Sequence, residues 1–97
     1  MDLKRIVKKV LTLSDNTYKE RDIAKKINDG KTHYVTGWVH NNRGDDKQFD
    51  LWVTTPKGRE NDLVGLRNFI KSQLKRWRSA VLDDFMILNL QTGRIER

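Results

Sequence analysis

Arg67, Lys71, Lys75 and Arg78 recur at three- and four-residue intervals in a stretch, Gly65 to Ala80, that also holds Arg76 and contains no acidic residue. Guanidinium and ammonium groups at that spacing share one side of a helix, and the chemistry open to them is charge-assisted hydrogen bonding to phosphates. A surface that serves only solubility mixes both signs and sets Glu one turn from Lys. Here like charges at i, i+4 repel by a few tenths of a kcal/mol per pair, a repulsion that a polyanion would relieve.

Other chemistries find little support. His33 and His40 are the two histidines, and neither sits in a motif that pairs it with a nucleophile. A ribonuclease-like use of His40 beside Arg43 is the single enzymatic alternative. Asp45, Asp46 and Asp50 could suggest a divalent cation, but adjacent residues on a loop tip diverge, and they read as turn-formers. Gly37, Gly44 and Gly58 lack the spacing of a phosphate-binding loop. With no cysteine there is no thiolate nucleophile, disulfide or Cys-ligated zinc, which suits a reducing compartment. The expectation is a protein that is not an enzyme and uses no cofactor or metal.

These cations need elements to hold them. Taking Leu63 as origin and about 100° per residue, Leu63, Leu66, Ile70, Leu74, Trp77 and Val81 fall within roughly 80° of one another. They predict a long helix, buried on that side and basic beside it, starting near Glu60 to Asp62. Upstream, Leu3, Ile6, Val7, Val10 and Leu11 follow a helical template, with Lys4, Arg5, Lys8 and Lys9 facing out. After Ser14 to Thr17, a second short helix buries Tyr18, Ile23, Ala24 and Ile27 and ends at Asn28-Asp29-Gly30. Thr32 to Val39 and Gln48 to Thr55 are rich in strand formers and predict an antiparallel hairpin whose polar tip runs from Asn41 to Lys47. Phe85 to Leu88 reads as a short C-terminal strand, Gln91-Thr92-Gly93 as a turn, and Arg94 to Arg97 as a basic tail.

Alternation on the hairpin places Val35 and Val39 with Phe49, Leu51 and Val53, and sends Tyr34, Trp38, His40 and Trp52 to the opposite face. Either a helix covers that face, or its rings form a stacking platform for unpaired bases with Lys31, Arg43 and Lys47 along the phosphates.

Ninety-seven residues suffice for one small domain, 1–97, with a modest core. Twenty Lys and Arg against thirteen Asp and Glu give a net charge of +7, a bias toward polyanions. The N-terminus interleaves lysines with its apolar residues, so neither a signal peptide nor a membrane span is expected, and an intracellular place, cytoplasmic or nucleoid-associated, fits best.

The stretch Arg21-Asp22-Ile23-Ala24-Lys25-Lys26-Ile27, followed by Val35-Thr36-Gly37-Trp38-Val39, resembles the helix-turn-helix of many regulators. Leu51 to Glu60 resembles the wing strand and following helix start of winged-helix repressors. The resemblance implies a winged helix as the alternative fold, with Lys31 to His40 as a recognition helix entering a major groove and Asn42 to Lys47 as the wing tip. Gly37 inside that helix would cost about 1 kcal/mol relative to Ala. Local propensity favours strand at Thr32 to Val39, and strand is the reading adopted.

The expected architecture is therefore α+β: two short N-terminal helices, an antiparallel hairpin, a long basic helix and a short C-terminal strand. The expected function is non-catalytic binding of DNA or RNA by a small regulatory or accessory factor. Its contacts are Lys31, Trp38, Arg43, Lys47, Trp52, Lys57, Arg59, Arg67, Lys71, Lys75 and Arg78. The alternative is a protein-interaction module or inhibitor that docks on a larger nucleic-acid-handling complex, with Trp38 or Trp52 as anchor.

Overall fold

The computed structural model describes residues 3–14, 18–41, 45–74 and 80–96. The fold is α+β. Helices α1 (Leu3–Leu13) and α2 (Glu20–Asn28) precede strands β1 (His33–Asn41) and β2 (Asp46–Val53). Helix α3 (Leu63–Leu74) then leads to β3 (Ala80–Asn89) and β4 (Ile95–Glu96). The strands form one antiparallel sheet in the order β2-β1-β3-β4.

The hairpin pairs His33 with Val53 through His40 with Asp46, so residues 33–40 are strand and a recognition helix there is corrected. Val35 and Trp38 favour the pleated conformation, and Gly37, a poor strand former, is carried along by its neighbours. Gly37 lies opposite Phe49 on one side and Phe85 on the other, so two rings flank the position that carries no side chain.

Two expectations about the second half of the chain are also corrected. The long basic helix does not run through Val81: helix is described over Leu63–Leu74, and residues 75–79 lie outside the described residues. Val81 instead belongs to β3, which pairs along β1 from His33↔Asn89 to Asn41↔Ala80 with a register shift between Trp38 and Val39. Continued apolar spacing cannot distinguish one helix from a helix followed by a strand; the second edge of β1, which would otherwise carry unpaired backbone groups, draws residues 80–89 into the sheet. The C-terminal element is accordingly a ten-residue strand plus a second, and part of the supposed basic tail, Ile95–Glu96, pairs with Ile87 and Leu88. Gly93 adopts φ +77° in the tight connection between them, where its N–H reaches the Asn89 carbonyl.

Helices cover both faces of the sheet. On one, α1 and α2 bury Ile6, Val7, Val10 and Ile23 against Tyr34, Leu88 and Leu90. On the other, α3 lays Leu66 and Ile70 over Val35, Val39, Phe49, Val53, Phe85 and Ile87. The alternation expected for the hairpin thus holds, and the face carrying Tyr34 and Trp52 is a covered one.

Candidate nucleic-acid interface

The residues expected to meet nucleic acid are distributed over several surfaces. Trp38 lies on the α1/α2 face of β1 and is 46% exposed. Trp52, on the same face, is half-buried and engaged: its ring meets Tyr18 edge-on at 5.9 Å and Tyr34 at 4.7 Å, and Nε1–H donates to the Tyr18 hydroxyl at 3.3 Å. The Lys26 ammonium sits 5.4 Å from its centroid. A base has no open ring face of Trp52 on which to stack while these contacts persist.

Lys31 is half-buried in the connection from α2 to β1. Lys47 is exposed on β2 opposite Val39, hence on the α3 side of the sheet. Lys57 and Arg59 are exposed in the connection from β2 to α3. They adjoin the His33 end of β1, five residues or about 17 Å of strand from Trp38. On α3, Arg67 is half-buried with its guanidinium carbon 5.9 Å from the Phe85 centroid, and Lys71 is exposed. Arg43, Lys75 and Arg78 lie outside the described residues. Trp38 and the α3 cations therefore occupy opposite faces.

What the fold does gather is a set the sequence reading left out of the site. Helix α1 carries Lys4, Arg5, Lys8 and Lys9 and no acid. Burial of Ile6, Val7 and Val10 leaves Arg5, Lys8, Lys9 and Thr12 on the solvent side. Together with Leu13 and Ile95 of β4 they line a recess of about 340 Å³. Lys9 Nζ donates to the Gly93 carbonyl at 2.6 Å, which ties α1 to the β3–β4 turn and fixes one ammonium at the rim. The neighbouring Arg94 is paired with Glu96 at 2.9 Å. Helix α2 adds three cations against two acids, so the two-helix layer has a surplus of five positive charges, compared with two on α3. The signal was legible: Leu3 to Leu13 is as free of acids as Gly65 to Ala80.

Two polar networks hold the frame. Asp50 accepts from the Tyr18 hydroxyl at 2.6 Å and the Tyr34 hydroxyl at 3.2 Å, which joins the chain before α2 to the hairpin. Burial pushes the Tyr34 hydroxyl well above the ordinary tyrosine range, a shift partly offset by its hydrogen bond with Ser14 and reinforced by the Asp50 charge, so the group stays protonated. Beside Tyr34, at the start of β1, His33 is buried, its Nδ1 2.9 Å from Thr32 Oγ1. The same hydroxyl receives Thr55 N–H at 2.9 Å. Burial holds the His33 pKa below its ordinary 6.5, although a hydrogen bond to the Glu60 backbone and the Glu60 charge pull the other way.

Among the described residues, no three His, Asp or Glu side chains converge where they could hold a metal ion. No described helix is long and apolar enough to cross a membrane. No family model, curated protein or solved structure matches the chain.

Proposed function

We propose that this protein is a non-catalytic nucleic-acid-binding factor whose principal contact is the solvent side of α1. One observation carries the reading: Arg5, Lys8 and Lys9 stand around one recess on a helix that has no acid to neutralise them. The three lie within about 6 Å of helix rise. A duplex strand presents a phosphate every 3.4 Å or so of axis, and two or three neighbouring phosphates would therefore face the three cations. Arg67 and Lys71, on the opposite side of the sheet, serve as a secondary contact or as general attraction. Readout by shape and charge fits this surface better than base stacking, because no aromatic side chain lines the α1 recess and Trp52 is engaged by Tyr18, Tyr34 and Lys26.

Fluorescence anisotropy with a labelled 20-base-pair duplex and a 20-nucleotide single strand, from 50 to 300 mM KCl, tests the reading. Three duplex contacts give a slope of about −2.7 in log affinity against log salt. The double variant Arg5→Glu/Lys8→Glu removes about 1.8 of that slope, and Arg67→Glu/Lys71→Glu removes less. Absence of binding to either oligonucleotide at 50 mM salt, or affinity indifferent to reversal on α1, would refute it.

A further inference from the structure

The α3 side of the molecule carries a second surface of different chemistry. On the helix, Leu66 and Ile70 point into the core, Arg67 leans toward β3 over Phe85, and Phe69 comes out on the opposite flank, toward β2. A cleft of about 350 Å³ opens there, lined by Val53, Pro56, Gly65, Leu66 and Phe69, with Arg59 and Asp62 also along it. Phe69 is 47% exposed, although α3 has a core face to which an aromatic would ordinarily turn.

Three features say what fits the cleft. First, β2 is an outermost strand of the sheet. Val53 sends its carbonyl inward to Thr32 N–H, so by alternation Trp52 and Thr54 turn their backbone groups outward beside the cleft. An extended segment laid there would gain main-chain hydrogen bonds and drop one side chain into the opening. Second, the lining is apolar and has room for one bulky aliphatic or aromatic side chain. Third, the rim holds both signs: the Glu60 and Asp62 carboxylates receive Gly58 N–H and Gly65 N–H at 3.1 Å each, while the Arg59 guanidinium projects into solvent, where an incoming carboxylate can reach it.

We infer that this cleft docks an extended peptide segment of a partner protein, inserting a large apolar side chain beside Phe69 and placing an adjacent carboxylate on Arg59. The inference is independent of the nucleic-acid reading, since it uses neither α1 nor a phosphate. It also moves the anchor of a protein contact from Trp38 or Trp52 to Phe69.

The test is an amide chemical-shift titration of the full chain with three synthetic peptides. They are acetyl-Asp-Val-Phe-Val-Asp-amide, its counterpart with Lys in place of Asp, and its counterpart with Ser in place of Phe. The expected result is saturable shifts from the acidic Phe peptide, centred on residues 53–55 and 65–70, with at least fivefold weaker binding of the other two. Phe69→Asp abolishes the shifts, and Arg59→Glu reverses the preference between acidic and basic peptides. Arg59 is exposed, so that second variant reports on docking even where the first disturbs α3. Absence of shifts at millimolar peptide overturns the inference. Shifts centred on α1, or binding unchanged in both variants, mean general charge attraction and overturn it equally.

Discussion

The two faces of the sheet are covered unequally, and the inequality separates what stabilises this protein from what it leaves available to others. On one face two helices share the load: Ile6, Val10 and Ile23 are fully enclosed with Tyr34 and Leu88, and the charges of α1 and α2 are displaced to the outside. On the other face α3 is the one described helix that lies over the sheet. It encloses Ile70 and Val35 as completely, yet leaves Val64 72% and Phe69 47% exposed along with an open apolar cleft. Both faces present charge and some hydrocarbon, with Trp38, Leu3 and Leu11 exposed on the first and Val64 and Phe69 on the second; what the singly covered face adds is the apolar cleft beside Phe69. A small domain has apolar surface to spare only where its stability does not depend on hiding it.

If both faces are true cores, truncation on either side is equally damaging. Ile23→Ala beneath α2 and Ile70→Ala beneath α3 each remove most of a fully enclosed aliphatic side chain, and each is expected to lower unfolding stability by about 2–5 kcal/mol. Urea denaturation followed by circular dichroism measures both. A loss below about 1 kcal/mol for Ile70→Ala alone would show that α3 is loosely attached, and the comparison between faces would have to be redrawn.

Much of this division was legible in the residues. Alternation in Thr32 to Val39 and Gln48 to Thr55 separates the Val35/Val53 side from the Tyr34/Trp52 side, because a strand side-chain period of two leaves no freedom once one face is apolar. The N-terminal helices were equally plain from Leu3, Ile6, Val7 and Val10. What escaped was decided by partners distant in sequence. Leu63 to Val81 keeps apolar spacing across two elements, and only the second edge of β1 turns Val81 into strand. Trp38 and Trp52 are indistinguishable by alternation, but the chain before α2 brings Tyr18 to Trp52. The cations of α1 were visible as outward-facing, yet their convergence with Ile95 needs β4, a two-residue strand too short to announce itself.

The His33 network sharpens the comparison at the point where the two faces meet the connection to α3. Folding holds the imidazole neutral by burial, so its folded pKa lies below the unfolded value of 6.5. The unfolded chain then binds the extra proton as pH falls through 6.5, and stability declines with acidification. The slope is up to about 1.4 kcal/mol per pH unit until the folded pKa is reached. Thermal melts at pH 7.5 and pH 5.0 are expected to show a lower melting temperature at the acid end for the natural chain and a smaller drop for His33→Gln. Glu60, whose carboxylate is held below its ordinary range by backbone amides, titrates beneath this window. Equal drops in both proteins would mean that His33 is not a stabilising neutral group.

The smallest expected effect is the most telling for the open face. Phe69→Ser exchanges a half-exposed ring for a small polar side chain on a helix whose buried contacts, Leu66 and Ile70, are untouched. A residue kept for packing would lose about 3–5 kcal/mol on such a truncation. A residue kept for an external partner would lose little, about 1 kcal/mol or less, because much of its ring already faces water and serine is only modestly poorer in a helix. Urea midpoints therefore distinguish the two origins of an exposed aromatic. Alongside, Leu66→Ser, one turn away and buried, is expected to unfold the domain or come close, since it places an unpartnered hydroxyl and a void in the same core. A large loss at Phe69, comparable with that at Leu66, would make the cleft a shallow edge of the core rather than a surface held open.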